Sequence, residues 1–233
     1  MSDPRQLCVI GAAQHTVRDG QADEPLLSWE HRAREAAAGM ESILTQIDSL
    51  QVVYCQSWPY DDPVGRLAAA LGAAPRHRLY SGIGGTTPQV LVNDTAVAMR
   101  RGELELALIC SAEALATVRA AKKRGERLPW SHRQSTPFPW EPPHASELNH
   151  EVVQAWETFP LWDTARRARR GATLADDAAE AAAVMAAMTP VAAANPHAWR
   201  REVLDAATVG TPTAANRYVG WPYTKHEVAV MDV

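Results

Sequence analysis

No stretch of the chain approaches the ~20 consecutive apolar residues that a membrane-spanning helix needs, so no membrane span is expected. The start, Met1-Ser2-Asp3-Pro4-Arg5-Gln6, has no basic region followed by a long apolar one, and no signal peptide is expected. Positive charge is not in excess. Lys and Arg number 23 against 27 Asp and Glu, a formal net charge of −4, which argues against binding nucleic acid by global attraction. Cysteine is scarce: Cys8, Cys55 and Cys110 form an odd set, each inside an apolar strand-like run. They read as buried, reduced thiols used as small hydrophobes rather than as reactive thiols or metal ligands. A cytoplasmic setting follows from that reading. The spaced Gly-x-Gly-x-x-Gly of dinucleotide folds and the lysine of a phosphate-binding loop are both missing, and no tightly bound cofactor is expected.

What is present suffices for a substantial core. The chain has 233 residues, 46% of them hydrophobic, which suits one large domain or one domain with an insertion. Gln6–Ala12, Leu50–Cys55, Arg78–Ser81 and Leu104–Ser111 read as strands, the last a near-continuous apolar run of the kind covered on both faces. Between them, Trp29–Leu44, Val64–Leu71 and Thr86–Arg101 read as helices, with Ser28 as a cap and Gly72 and Gly102 as stops. Regular alternation of strand and helix predicts an α/β fold with a parallel or mixed sheet flanked by helices.

From Val118 the texture changes. Arg119, Lys122, Lys123, Arg124 and Arg127 lie together, followed by the Pro/Trp segment Leu128–Pro143. A helix beginning near Ala145 is expected to break or kink at Pro160 and continue through Arg170, and an alanine-rich helix, Asp176–Met188, to end at Thr189-Pro190. This gives a first part of an α/β domain over residues 1–117, a mostly helical insertion over 118–215, and a return over 216–233. The apolar run Glu227–Val233 reads as a strand cut short, which points to a fragment of a longer protein.

The segment with the strongest chemical character is Tyr80-Ser81-Gly82-Ile83-Gly84-Gly85-Thr86-Thr87-Pro88-Gln89, which joins a strand to a helix. Its glycines admit unusual backbone angles and close approach of a ligand. The helix's first free N–H groups and its dipole favour negative charge there, which suits an oxyanion hole or a thioester carbonyl. It is equally a sound ordinary helix start, with Thr86 or Thr87 as the cap and Pro88 in the first turn.

This turn, the helix end Ala98-Met99-Arg100-Arg101-Gly102 and the strand Glu105–Ala114 resemble the nucleophile segment of thiolases. In that family a cysteine opens the helix, followed by Gly, a small residue, Gly, an apolar residue and Gln. Gly85 and Gln89 fit the pattern, whereas Gly84 stands where the cysteine belongs. Asn216–Thr224 and Met231-Asp232-Val233 resemble the segment of sterol-carrier-type thiolases that leads to the last strand of the N-terminal domain. Residues 145–170 and 192–199 resemble the loop domain of actinobacterial thiolase-like proteins often labelled acetyl-CoA acetyltransferases.

The resemblance implies a thiolase-like N-terminal half with an inserted loop domain, taking coenzyme A or an acyl-CoA as ligand. It implies a setting in fatty-acid or sterol catabolism and a C-terminal half or partner chain carrying the family's histidine and second cysteine; a homo-oligomer is also compatible. Gly84 cannot form an acyl-enzyme, and thioester binding at Gly84, Gly85, Thr86 and Thr87 is what the turn retains. Arg119, Lys122, Lys123, Arg124 and Arg127 are candidates for CoA phosphates, or a solvated helix face. His144 is the candidate acid or base, or a capping residue; His144, Glu147 and His150 give only a weak metal spacing. Two alternatives stand beside thioester binding without thiolysis. One is retro-aldol cleavage of a CoA thioester, for which Tyr80 or His144 near the turn is the acid/base candidate. The other is a non-catalytic subunit. Trp130, Trp140, Trp156 and Trp162 either line an acyl pocket or pack the insertion.

Overall fold

The computed structural model describes residues 7–18, 20–135, 144–150, 155–214 and 216, without the side chains of 155–157, 159 and 160. The chain divides into two compact units, Met1–Trp140 and Glu141–Val233. The expected strand Glu227–Val233, the segment 217–224, and the side chains of Trp140 and Trp156 lie outside the described residues.

In the first unit helix α1, Pro25–Ala36, follows Glu24, with proline at its first position and Trp29 and Ala33 facing inward. The expected helix Trp29–Leu44 is split: Gly39 takes a φ of 79°, closed to most side chains, and the chain resumes as a 3-10 turn, Glu41–Gln46. Strand β1, Ser49–Val52, is buried at every position, and helix α2, Pro63–Leu71, follows. Asp62 caps α2 by accepting the Gly65 N–H at 2.9 Å. Strand β2 is His77–Tyr80, helix α3 is Thr87–Arg100, strand β3 is Ala107–Cys110 and helix α4 is Leu115–Arg124.

All three strands are parallel, ordered β2-β1-β3, with Ser49 opposite His77 and Ala107 and Val52 opposite Tyr80 and Cys110. Asp48 fixes the start of this register by accepting the N–H groups of Glu105 at 3.0 Å and Leu106 at 3.1 Å. Trp29, Leu50, Val52, Leu67 and Leu71 form the core, and Leu128 and Trp130 pack against it. The segment 118–135 therefore packs with the first unit.

Residues 7–12 are not a strand. They run without a ladder, with Val9 87% and Ile10 52% exposed, and Cys8 is exposed rather than buried. β-propensity makes a strand only where a sheet edge is within reach to pair with. Here the segment instead lies along the end of α1, where a Cβ on Gly11 would come within 2.0 Å of the Ala36 carbonyl oxygen.

The second unit contributes helices α5, Ala145–Asn149; α6, Ala155–Arg170; α7, Leu174–Ala194; and α8, Ala206–Gly210. Helix α6 runs through Pro160 without a break, and α7 runs past Thr189-Pro190 to Ala194. At Pro190 the physical reason is visible. Proline cannot donate to the carbonyl of Ala186 four residues back, and the hydroxyl of fully buried Thr189 donates to it instead, at 2.8 Å. The same hydroxyl accepts the Leu204 N–H at 3.0 Å and so ties the following loop to the helix. Arg166 pairs with Asp177 at 2.7 Å and Arg170 with Glu180, bridging α6 and α7. Asn216, the first residue of the segment resembling sterol-carrier-type thiolases, serves α8 by donating to the carbonyls of Val209 and Thr211, each at 3.0 Å.

Candidate functional site

In parallel sheets ligands bind beyond the carboxyl ends of the strands, because the loops there lead into helix N-termini. In this chain that end carries the turn after β2. Ser81 is buried and ties the turn to β1, donating its N–H to Val52 O at 3.0 Å and accepting the Tyr54 N–H at 2.9 Å. Gly82–Thr86 is exposed. Thr87 donates its N–H to Gly84 O at 3.1 Å, and the N–H groups of Gly84, Gly85 and Thr86 donate to no acceptor among the described residues. These donors sit at the positive end of a 14-residue helix.

Two expectations about this turn change. Thr86 is the N-cap, but its side chain makes no capping bond; Pro88 is in the first turn as expected. None of Gly82, Gly84 and Gly85 adopts a positive φ, so none is required for an unusual backbone. What they supply is space. A Cβ on Gly82 or Gly85 would meet nothing, and one on Gly84 would meet only the Thr87 hydroxyl, at 2.8 Å.

Helix α3 is anchored behind the turn by a buried polar link. Gln51, 2% exposed, donates from Nε2 to Thr95 Oγ1 at 2.7 Å and to Ser49 Oγ at 3.0 Å. Around the strand ends lies a group of titratable side chains that the sequence did not single out as a set. The Tyr80 hydroxyl accepts the Cys55 N–H at 2.9 Å, and the Tyr54 ring lies 5.7 Å from the Tyr80 ring. Glu113 accepts the N–H groups of Gln56 at 2.6 Å and Ser57 at 2.9 Å, holding the loop after β1 to the end of β3. Burial pushes the Tyr80 phenol up to about 12, the Cys110 thiol to about 12, and the Cys55 thiol upward. Near neutral pH these groups hold their protons, and neither thiol is an activated nucleophile.

The basic candidates separate. Lys122 and Arg127 line a cavity of about 630 Å³ together with Trp58, Trp130 and Arg133. Arg124 is held by Glu126 at 2.8 Å, and Arg119 and Lys123 are exposed on α4. His144 belongs to the second unit and caps α5: its Nδ1 accepts the Ser146 N–H at 3.2 Å while Glu147 accepts the His144 N–H at 2.7 Å. Among the described residues no group of three His, Cys, Asp or Glu side chains gathers as a metal ion requires. Trp162 is 68% exposed, and Asp61 and Asp62 serve a turn, the first paired with Arg66 at 2.7 Å and the second capping α2.

No protein-family model and no curated protein matches the chain. Solved structures do. A monomeric SCP2-thiolase-like protein type 1 from Mycobacterium smegmatis superposes with a TM-score of 0.69 at 23% identity over 95% of this chain. The chain has a thiolase-like fold. The Ltp2–ChsH2(DUF35) aldolase superposes with a TM-score of 0.59 at 17% identity over 94% of this chain. The chain spans 42% of the length of the first protein and 50% of the second. Within this thiolase-like fold the turn after β2 leads into α3 through Gly84 and Gly85, whose N–H groups donate to no acceptor among the described residues. Among the described residues no helix is long and apolar enough to cross a membrane.

Proposed function

We propose that the chain binds CoA thioesters, the thioester oxygen accepting from the backbone N–H groups of Gly84, Gly85 and Thr86, and that no acyl-enzyme forms there. The observation that carries this reading is the set of three exposed, unspent N–H groups at the start of α3, beside a position with no side chain. Such donors stabilise the negative charge that develops on a thioester oxygen without any covalent step. The thiolase-like fold supports it, as does the raised ionisation of Cys55 and Cys110, which leaves no activated thiol nearby. The reading extends to fatty-acid or sterol metabolism and to a second half or partner chain that completes the site.

The test is calorimetric titration of acetyl-CoA into the full chain and into Gly84→Val, with intact-mass spectrometry of both. Acetyl-CoA binds the parent chain, leaves no covalent acetyl adduct, and binds the variant about tenfold more weakly, the cost of losing backbone hydrogen bonds to the thioester oxygen. Equal binding by the two proteins, or an acetyl adduct on the parent, overturns the reading.

A second reading, retro-aldol cleavage of a 3-hydroxyacyl-CoA, is favoured by one further observation. Tyr80 places a protonated phenol at the end of β2, two residues before the turn's first glycine. In that reaction a base removes the hydroxyl proton, the bond between the second and third acyl carbons breaks, and its electrons pass to the thioester as an enolate. The turn's N–H groups hold the enolate oxygen, and Tyr80 returns a proton to carbon. The aldolase structure with this fold supports the reading.

A further inference from the structure

The turn Gly82–Thr86 carries the donors but has little to hold its own path. Three of its five residues are glycines, and all five are exposed. Before α3 begins, two hydrogen bonds restrain it among the described residues. One is the Thr87 N–H to Gly84 O, and the other runs from the Ser81 hydroxyl to Gly82 O at 3.0 Å. Ser81, 5% exposed, is where the turn meets the sheet. A serine hydroxyl has one proton, and its surroundings decide where that proton points. Here the oxygen accepts the Tyr54 N–H at 2.9 Å, which leaves the proton for Gly82 O. Tyr54 belongs to a clamped segment. The N–H groups of Tyr54, Cys55, Gln56 and Ser57 are accepted in turn by Ser81 Oγ, the Tyr80 hydroxyl and the two Glu113 oxygens, at 2.9, 2.9, 2.6 and 2.9 Å. Four consecutive backbone donors taken by side chains make the loop after β1 a fixed base for Ser81.

A trans peptide points its C=O and N–H in opposite directions. Drawing Gly82 O toward buried Ser81 therefore turns the Ile83 N–H away from it, and that N–H donates to no acceptor among the described residues. Ile83 thus heads the same row of donors as Gly84, Gly85 and Thr86. Such a row stabilises negative charge only as far as its geometry is set in advance. We propose that Ser81 is the positioning residue of this turn: its hydroxyl, aimed by the Tyr54 N–H, holds the Gly82–Ile83 peptide and so fixes the donors that follow. Its effect on thioester binding rests on the function proposed above, whereas the turn's preference for negative charge is measurable without any ligand.

The test reads that preference with an introduced thiol. Full-length Gly84→Cys in a Cys8→Ser background is alkylated with iodoacetamide across pH, alone and combined with Ser81→Ala, Ser81→Gly, Ser81→Thr or Ser57→Ala. Ser57→Ala is the matched structural control: it too strands one buried N–H, that of Ala114, but touches nothing in the turn. Ser81→Ala raises the alkylation midpoint by about half a pH unit, the part of the helix-terminus effect that depends on aligned donors. Ser81→Thr keeps the hydroxyl and the lower midpoint. Ser57→Ala leaves the alkylation midpoint unmoved, although it lowers stability to urea as Ser81→Ala does. Ser81→Gly leaves room for a water at the stranded Tyr54 N–H, and it repeats the upward shift where the alanine variant fails to fold. In the parent chain Ser81→Ala weakens acetyl-CoA binding by about fivefold. An unmoved midpoint with Ser81→Ala and Ser81→Gly, or an equal rise with Ser57→Ala or Ser81→Thr, overturns the positioning role. A midpoint that responds to Ser81 in a chain that does not bind acetyl-CoA keeps the positioning role and overturns the thioester reading alone.

Discussion

Gly84→Cys asks whether the turn stabilises negative charge at all. The fold admits the substitution. Gly84 has no positive φ, and the new Cβ meets only the Thr87 hydroxyl at 2.8 Å, a side-chain atom that one rotation removes. The introduced thiol then sits at the positive end of a 14-residue helix, next to unspent N–H donors. Interaction with a helix terminus is worth about 0.3–1 kcal/mol at exposed positions and up to ~2 in better geometries. At 1.36 kcal/mol per unit this lowers the thiol from its usual ~8.5 to somewhere between about 8.3 and 7. The assay is the pH dependence of iodoacetamide alkylation, made in a Cys8→Ser background because Cys8 is exposed. Cys55 and Cys110 stay silent, since burial pushes both thiols up. A midpoint at or above that of an ordinary thiol refutes the reasoning: the donors would then not favour an anion, and the thioester site would lose its physical basis. Adding Thr87→Ala relieves the one contact and separates a steric cause from an electrostatic one.

Two further outcomes follow from the packing. Thr189→Val keeps the shape of a buried side chain but strands the Ala186 carbonyl and the Leu204 N–H; the second unit should lose about 1–3 kcal/mol in urea unfolding, with the end of α7 exchanging its amides first. The whole chain should lose stability as pH rises from about 9 toward 12. The sign follows from Cys110 and Tyr80, both pushed up to about 12 by burial: below the ordinary thiol range both states stay protonated, and above it the unfolded chain releases protons first. Each group steepens the fall by at most about 1.4 kcal/mol per pH unit, and a Cys110→Val variant with an unchanged slope would contradict this assignment.

Most of the first unit was legible because its signals are local. The runs around residues 50, 79 and 108 are short and bounded by turn residues, and each became a parallel strand within a few positions of its expected limits. The split of Trp29–Leu44 at Gly39 is a local effect, whereas other misreadings turn on contacts beyond the local window. Residues 7–12 have strand composition but pair with no strand among the described residues, and lie along α1 instead. Pro190 should end a helix, yet Thr189 supplies the missing donor and a loop residue 15 positions on completes the network. The titratable cluster escaped notice for the same reason: Glu113 reaches back 57 positions to Gln56, a contact no spacing rule reveals. Trp58 and Arg133 were likewise invisible as a pair, since only the fold stacks one on the other.

The turn shows what a sequence pattern can and cannot say about glycine. Gly82, Gly84 and Gly85 suggested backbone necessity, whereas their angles are open to any residue. A fold that tolerates a side chain at Gly84 at the expense of one hydroxyl rotation does not forbid a cysteine there. The missing thiol is therefore no consequence of architecture. What glycine supplies beside the donors of Gly84, Gly85 and Thr86 is space, since a Cβ at Gly84 would meet only the Thr87 hydroxyl. Under the proposed reading, chemistry at this turn runs through those backbone hydrogen bonds, not through a covalent intermediate.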